Sequence, residues 1–170
     1  LSAGLIHDIG TISLIVVGSA DYLARRSKPQ VPEDLAGHDC ILVNRVAHSK
    51  TWRLESGEDV KEIRVSGPFR TNSIDAARAA VISGLGLALL PGWLIHAELC
   101  SGTVRNVLPA WHPASVAVHA IYPSQRNLKP RTRAVIDFLV EEFRSDPALS
   151  GLQEGWGAAL NPARVAPGSA

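Results

Sequence analysis

Cysteine is almost missing from this chain. Cys40 and Cys100 are the only two among 170 residues, and they lie far apart with no Cys-x-x-Cys spacing. That pattern indicates neither a disulfide framework nor a cysteine-based zinc site, and it fits reduced thiols in a cytoplasmic setting. Long hydrophobic runs are missing too: no stretch approaches the roughly 20 apolar residues of a membrane helix. The N-terminus lacks the basic flank and cleavage site of a secretory signal. A soluble, unexported protein with no membrane partner is the expectation. Nor is there an excess of either charge, for the formal net charge is +1, which gives no electrostatic case for nucleic acid. Basic residues cluster at Arg25, Arg26 and Lys28 and at Arg126, Lys129, Arg131 and Arg133, but acidic residues elsewhere offset them, and solvated faces are the simpler account.

Catalytic constellations are absent as well. Gly18-Ser19-Ala20-Asp21 lacks the spacing and flanks of a nucleophile elbow. His7, His38, His48, His96, His112 and His119 show no His-Glu-x-x-His or comparable metal spacing. Glu58-Asp59 and Glu141-Glu142 fall in a turn and on a helix surface, where solvation explains them. No catalytic residue, metal ligand or cofactor is expected.

What is present is a globular composition, 46% hydrophobic, enough for one domain with a real core or two small lobes sharing a hinge. Short elements of mixed type argue for α/β architecture. Thr11 to Val17 reads as an apolar, β-branched strand, and Ser19 as the cap of a short helix from Ala20 to Arg26. Pro29-Gln30-Val31-Pro32 forces an extended connection into a turn-like Glu33 to His38. Cys40 to Val43 is a second strand. Thr51 to Leu54 and Val60 to Val65 flank a polar, glycine-containing turn and form a hairpin. Pro91 opens a helix that Gly102 closes, Thr103 to Leu108 and Ser115 to Tyr122 are further strands, and Pro130 to Arg144 is an amphipathic helix with Val135, Ile136, Leu139, Val140 and Phe143 on one face. From Asp146 the mixture of Gly, Pro, Ala and Ser has no periodicity and reads as a tail.

Gly84-Leu85-Gly86 invites comparison with phosphate loops. Those run strand, glycine turn, helix, so that a phosphate meets free N–H groups at a helix N-terminus. Here an alanine-rich helix entered through Asn72-Ser73 comes first, and Leu87 to Leu90 follows as a buried strand. The glycines stand at a C-terminus, where carbonyls point outward, and serve as a helix stop.

The order of these pieces resembles the effector-binding domain of LysR-type transcriptional regulators. The resemblance rests on Ser19 followed by Tyr22-Leu23, Pro32-x-Asp34-Leu35-x-x-His38-x-Cys40, Thr51-Trp52-Arg53, Asn72 with its alanine-rich helix, Gly84-Leu85-Gly86 with Leu90-Pro91, Leu99 with Gly102, and Tyr122-Pro123 with the last helix. It runs from about Val16 to Phe143, leaving Leu1 to Gly10 outside. It implies an α/β fold of the type 2 periplasmic-binding-protein kind: two subdomains joined by crossing strands, one near complete here and the other partial. The implied map is a remnant of subdomain I with the first hinge strand over residues 1–18, subdomain II over 19–117, the second hinge strand and a returning subdomain I helix over 118–145, and a flexible tail over 146–170. The family's winged helix-turn-helix, linker helix and first half of subdomain I have no counterpart, so a regulator fragment is expected, with any DNA contact and homo-oligomerisation belonging to intact relatives. Ala20 stands where the family commonly has proline, and Ser27 where it commonly has glycine; both changes read as tolerable at surface turns.

In open α/β sheets small molecules bind beyond the carboxyl ends of strands, near helix N-termini. That rule, which agrees with the family, selects Ser19, Asn44, Arg45, Thr71, Asn72, Ser73 and Pro91 as effector-binding residues, with a small, carboxylate-bearing organic molecule as the effector. Helix capping is the competing role for Ser19 and Asn72, and a plain surface position for Arg45. A free solute-binding protein of the same fold would need an export signal, and an enzyme would need a nucleophile or acid-base pair.

Overall fold

A computed structural model describes residues 5–43, 50–122 and 129–145. In chain order the elements are β1 (Leu5–Ile12), β2 (Leu14–Ser19), α1 (Ala20–Arg26), a 3-10 helix (Pro32–Gly37), β3 (Leu42–Val43), β4 (Thr51–Ser56), β5 (Asp59–Arg64), β6 (Arg70–Thr71), α2 (Ile74–Ile82), β7 (Ala88–Pro91), a second 3-10 helix (Gly92–Ile95), α3 (His96–Ser101), β8 (Val104–Asn106), β9 (His112–Pro113), β10 (Val116–Tyr122) and α4 (Pro130–Ser145). The expected tail from Asp146 lies outside the described residues.

The described residues form two compact units, one holding residues 5–13, 115–122 and 129–145, the other residues 14–43 and 50–114. In the first, β1 and β10 pair antiparallel from Leu5 opposite Tyr122 to Ile12 opposite Val116, with a bulge between Asp8 and Gly10. Helix α4 packs on this pair: Ile136 is buried, and a Cβ placed on Gly10 would come 2.9 Å from the Phe143 ring.

The sequence pattern reads Thr11 to Val17 as a single strand, and two findings alter it. Leu5–Ile12 is itself a strand, although Leu1 to Gly10 lay outside the resemblance, and the run breaks at Ser13. Beyond the break, β2 pairs with β7 on one side and β8 on the other, so it is a central strand of the second unit. Its apolar Val16 and Val17 are both buried, which a strand covered on both faces requires.

The second unit has two hydrophobic clusters. One gathers Val17, Ile41, Ala77, Ala80, Val81, Ala88, Leu90, Ile95, Leu99 and Val104 between the β7-β2-β8 sheet and helices α2 and α3. The other joins Val16, Tyr22, Leu35, Cys40 and Leu87 to Trp52, Leu54 and Ile63 of the β4–β5 hairpin. The hairpin runs further than the pattern suggested, since Ser56 pairs with Asp59 and leaves only Gly57-Glu58 as the turn. Strand β3 is shorter than expected: Cys40 makes a single bridge to Leu87, and Leu42–Val43 then pairs parallel with β6.

Candidate functional site

Strand direction decides where side chains can meet. β3 and β6 run parallel, with Val43 opposite Thr71, and the parallel bridge from Cys40 to Leu87 sets β7 in the same sense. The carboxyl ends of β3, β6 and β7 therefore share one edge, at Val43, Thr71 and Pro91. β2 starts there, because Leu14 pairs with Pro91 in antiparallel register.

Helix α2 opens at this edge. The Ser73 hydroxyl accepts the N–H of Ala76 at 3.3 Å, and the Ser73 N–H donates to Thr71 Oγ1 at 3.0 Å. Thr71 Oγ1 in turn donates to the Ser73 carbonyl at 3.4 Å. Both hydroxyls thus fix the backbone of the turn, and the first N–H groups of α2, which have no intrahelical acceptor, face outward with the positive end of the helix dipole. Asn72 between them is exposed; its side chain makes no hydrogen bond among the described residues. Pro91, buried and without an N–H, supplies an apolar wall where β7 ends. Asp75 in the first turn of α2 is exposed, a group that no sequence motif singles out.

Thr71, Asn72, Ser73 and Pro91 are thus brought to one edge. Asn44 and Arg45 lie outside the described residues; they follow Val43 directly. Ser19 is not part of that edge. It ends β2 five residues beyond Leu14, a rise of ~16 Å along the strand, and there it pairs with Val104. Its Oγ accepts the Tyr22 N–H at 3.2 Å, its exposure is 2%, and a Cβ on Gly84 would come 3.4 Å from it. Ser19 therefore caps α1 against the C-terminal end of α2, the far end of that nine-residue helix. The strand-end rule treats the end of every strand as equivalent; β2 runs opposite to β7 and β8, so its carboxyl end lies at the other edge.

An α/β unit in which parallel strand ends and one helix N-terminus share an edge has the form of a small-molecule-binding lobe. Residues 4–144 match the family model described as LysR substrate binding domain, and the chain belongs to that family. The match begins well before Val16, so the opening strand is part of the family pattern.

Relatives agree. A HTH-type transcriptional regulator of Xanthomonas campestris is 32% identical over 142 residues, covering 81% of this chain and 41% of that protein. The HTH-type transcriptional regulator PtxR of Pseudomonas aeruginosa is 29% identical over 133 residues, covering 78% and 43%. Among solved structures, the regulatory domain of CrgA, a LysR-type transcriptional regulator from Neisseria meningitidis, is 26% identical with a TM-score of 0.69, covering 82% of this chain and 69% of that one. Full-length AphB of Vibrio cholerae, at 23% identity, shares the fold with a TM-score of 0.71, over 83% of this chain and 48% of that one. The chain spans about four tenths of the length of the curated relatives it matches.

Proposed function

We propose that this chain is the effector-sensing part of a cytoplasmic LysR-type transcriptional regulator, and that the effector, a small organic acid, docks at the edge made by Thr71, Asn72, Ser73 and Pro91, with Asn44 and Arg45 beyond β3. The observation that carries the reading is the meeting of three parallel strand ends with the capped N-terminus of α2, where the Asn72 side chain makes no hydrogen bond among the described residues. The helix end favours an anionic group. Asp75 already takes up part of that field, so the main counter-charge is assigned to Arg45. Ser19, at the other end of β2 and capping α1, is placed outside the contacts. DNA contact and homo-oligomerisation are assigned to the full-length regulator, its DNA contact to a separate N-terminal domain.

Titration calorimetry with a panel of small mono- and dicarboxylic acids tests the site. An acid that binds should lose about 1–3 kcal/mol of affinity in Asn72→Ala, the cost of a hydrogen bond enclosed by the ligand. Unchanged affinity would remove Asn72 from the site. Selectivity for duplex DNA needs groove contacts and neutralised phosphates, so the chain alone should not discriminate promoters in a gel shift at physiological salt.

A further inference from the structure

Away from that edge, a knot of polar groups ties α1 to the chain entering β3. Tyr22 on α1 is buried, and its hydroxyl accepts the N–H of Asp39 at 3.0 Å. The same hydroxyl lies 3.1 Å from His38 Nδ1. A phenol has one hydrogen and two lone pairs, one of which the Asp39 N–H occupies; the clamp takes the arrangement in which the phenol hydrogen goes to Nδ1, with Nδ1 the acceptor and the ring's own hydrogen on Nε2. Arg26, one helical turn after Tyr22, pairs with the Asp39 carboxylate at 2.8 Å. The Asp39 carbonyl accepts the Leu87 N–H at 2.9 Å, so the knot also bears on the start of β7.

We propose that His38 is the proton-sensitive element of a clamp: a proton on Nδ1 turns the acceptor into a donor, leaves the buried Tyr22 hydroxyl hydrogen without a partner, and loosens α1 from the Asp39–Cys40 segment. The groups that face His38 are Tyr22 and Arg26 on α1, Asp34 in the 3-10 helix and Asp39 after it. Burial first, and then the Arg26 charge, hold the ring below its ordinary value of 6.5, against the opposing pull of Asp34 and Asp39. The sign follows: a depressed pKa means that the unfolded chain takes up the proton first. The clamp's contribution is complete above 6.5 and declines as pH falls through the window between the ordinary and the lowered value.

The test is nitrogen NMR of the labelled chain titrated from about pH 8 to about pH 5, across the histidine range. The ring should show the Nε2–H tautomer at the upper end. Exchange of the Asp39 amide, corrected for its intrinsic pH dependence, should quicken ~2–10-fold as the ring protonates, the change expected for one lost hydrogen bond. In His38→Asn, whose Oδ1 offers an acceptor near the same place with no proton to gain, the corrected exchange should stay flat. An Nδ1–H tautomer in the unaltered chain, an Asp39 amide indifferent to the ring's titration, or equal acceleration in His38→Asn would each overturn the clamp. The tautomer reading stands even if the variant fails to fold.

Discussion

Ser27 shows what one side chain can cost. It follows α1 with φ 60° and ψ 156°, a region that glycine occupies freely and other residues at a cost of order 1–3 kcal/mol. The serine was legible in the sequence as a departure from a family glycine. The strain was not, because it depends on the backbone route that the chain must take out of α1, so this position is not the tolerable change it resembled. Ser27→Gly should raise stability by about 1 kcal/mol in urea unfolding; a loss would mean that the serine makes a contact that repays the strain. The two cysteines separate in the same way. Cys40 is buried and its thiol is pushed up to about 12 by burial and the nearby Asp39 carboxylate, whereas Cys100 is exposed on α3. An aromatic disulfide reagent at mildly alkaline pH should modify Cys100 in the folded chain and reach Cys40 only after unfolding. As the unfolded thiol ionises near 9.0 and the folded one near 12, stability should fall as pH rises between those values. The cap at Ser19 was readable from sequence, since it depends on three neighbouring residues; its distance from Thr71 was not.

Elements whose ends are set by local chemistry were the readable ones. Helix α2 has its glycine stop where the pattern places it, while its cap is Ser73 and not Asn72, one residue further on than the capping role considered from sequence. Gly84 has φ 72°, its N–H donates to the Val81 carbonyl at 2.9 Å, and the Leu85 N–H donates to the Ala80 carbonyl at 3.0 Å. This paired closure satisfies carbonyls that the helix end would otherwise leave free. Ser73→Ala should cost about 1 kcal/mol, read as a shift in the unfolding midpoint, and no shift would show that Thr71 alone holds the turn. Gly86 serves a different purpose. A Cβ there would collide with the Asp39 carbonyl, as one on Gly67 would with the Cys40 backbone. The Asp39–Cys40 segment threads between these two glycines, donating from Cys40 N–H to the Ser66 carbonyl at 2.8 Å. Gly67→Ala should therefore cost at least ~1–3 kcal/mol, because backbone and not a flexible side chain would have to move. Pairing of this kind joins residues far apart in sequence, which is why β3 and β7 were visible as apolar runs while the short β6, the direction the three strands share, and hence the edge, were not.

At the scale of the whole molecule the two units differ in how well they cover their apolar surface. The second encloses Leu35, Leu54, Leu87, Leu90 and Ile95 completely. In the first, α4 turns Ile136 inward, but Val135 and Phe138 are 57% and 60% exposed, and Ile6 and Ile121 stand opposite each other on the open face of β1 and β10. The sequence pattern placed Val135 and Phe143 on one helix face. The structure parts them, since Phe143 meets Gly10 while Phe138 joins Val135 and Leu139 outside. Amide exchange should accordingly be slowest around Ala76 to Leu90 and fast along α4, and association at high concentration should weaken in Phe138→Ser; uniform protection in a monodisperse monomer would contradict this unevenness. The central claim, that a small acid docks where α2 begins, is tested most directly by amide chemical-shift mapping of the labelled chain with an acid found to bind. The account predicts the largest shifts at Thr71 to Ile74 and around Pro91 and Gly92, with Ser19, Tyr22 and Gly84 little moved. The reverse pattern, with shifts centred on Ser19 and Gly84, would place the ligand at the opposite end of the sheet and contradict it.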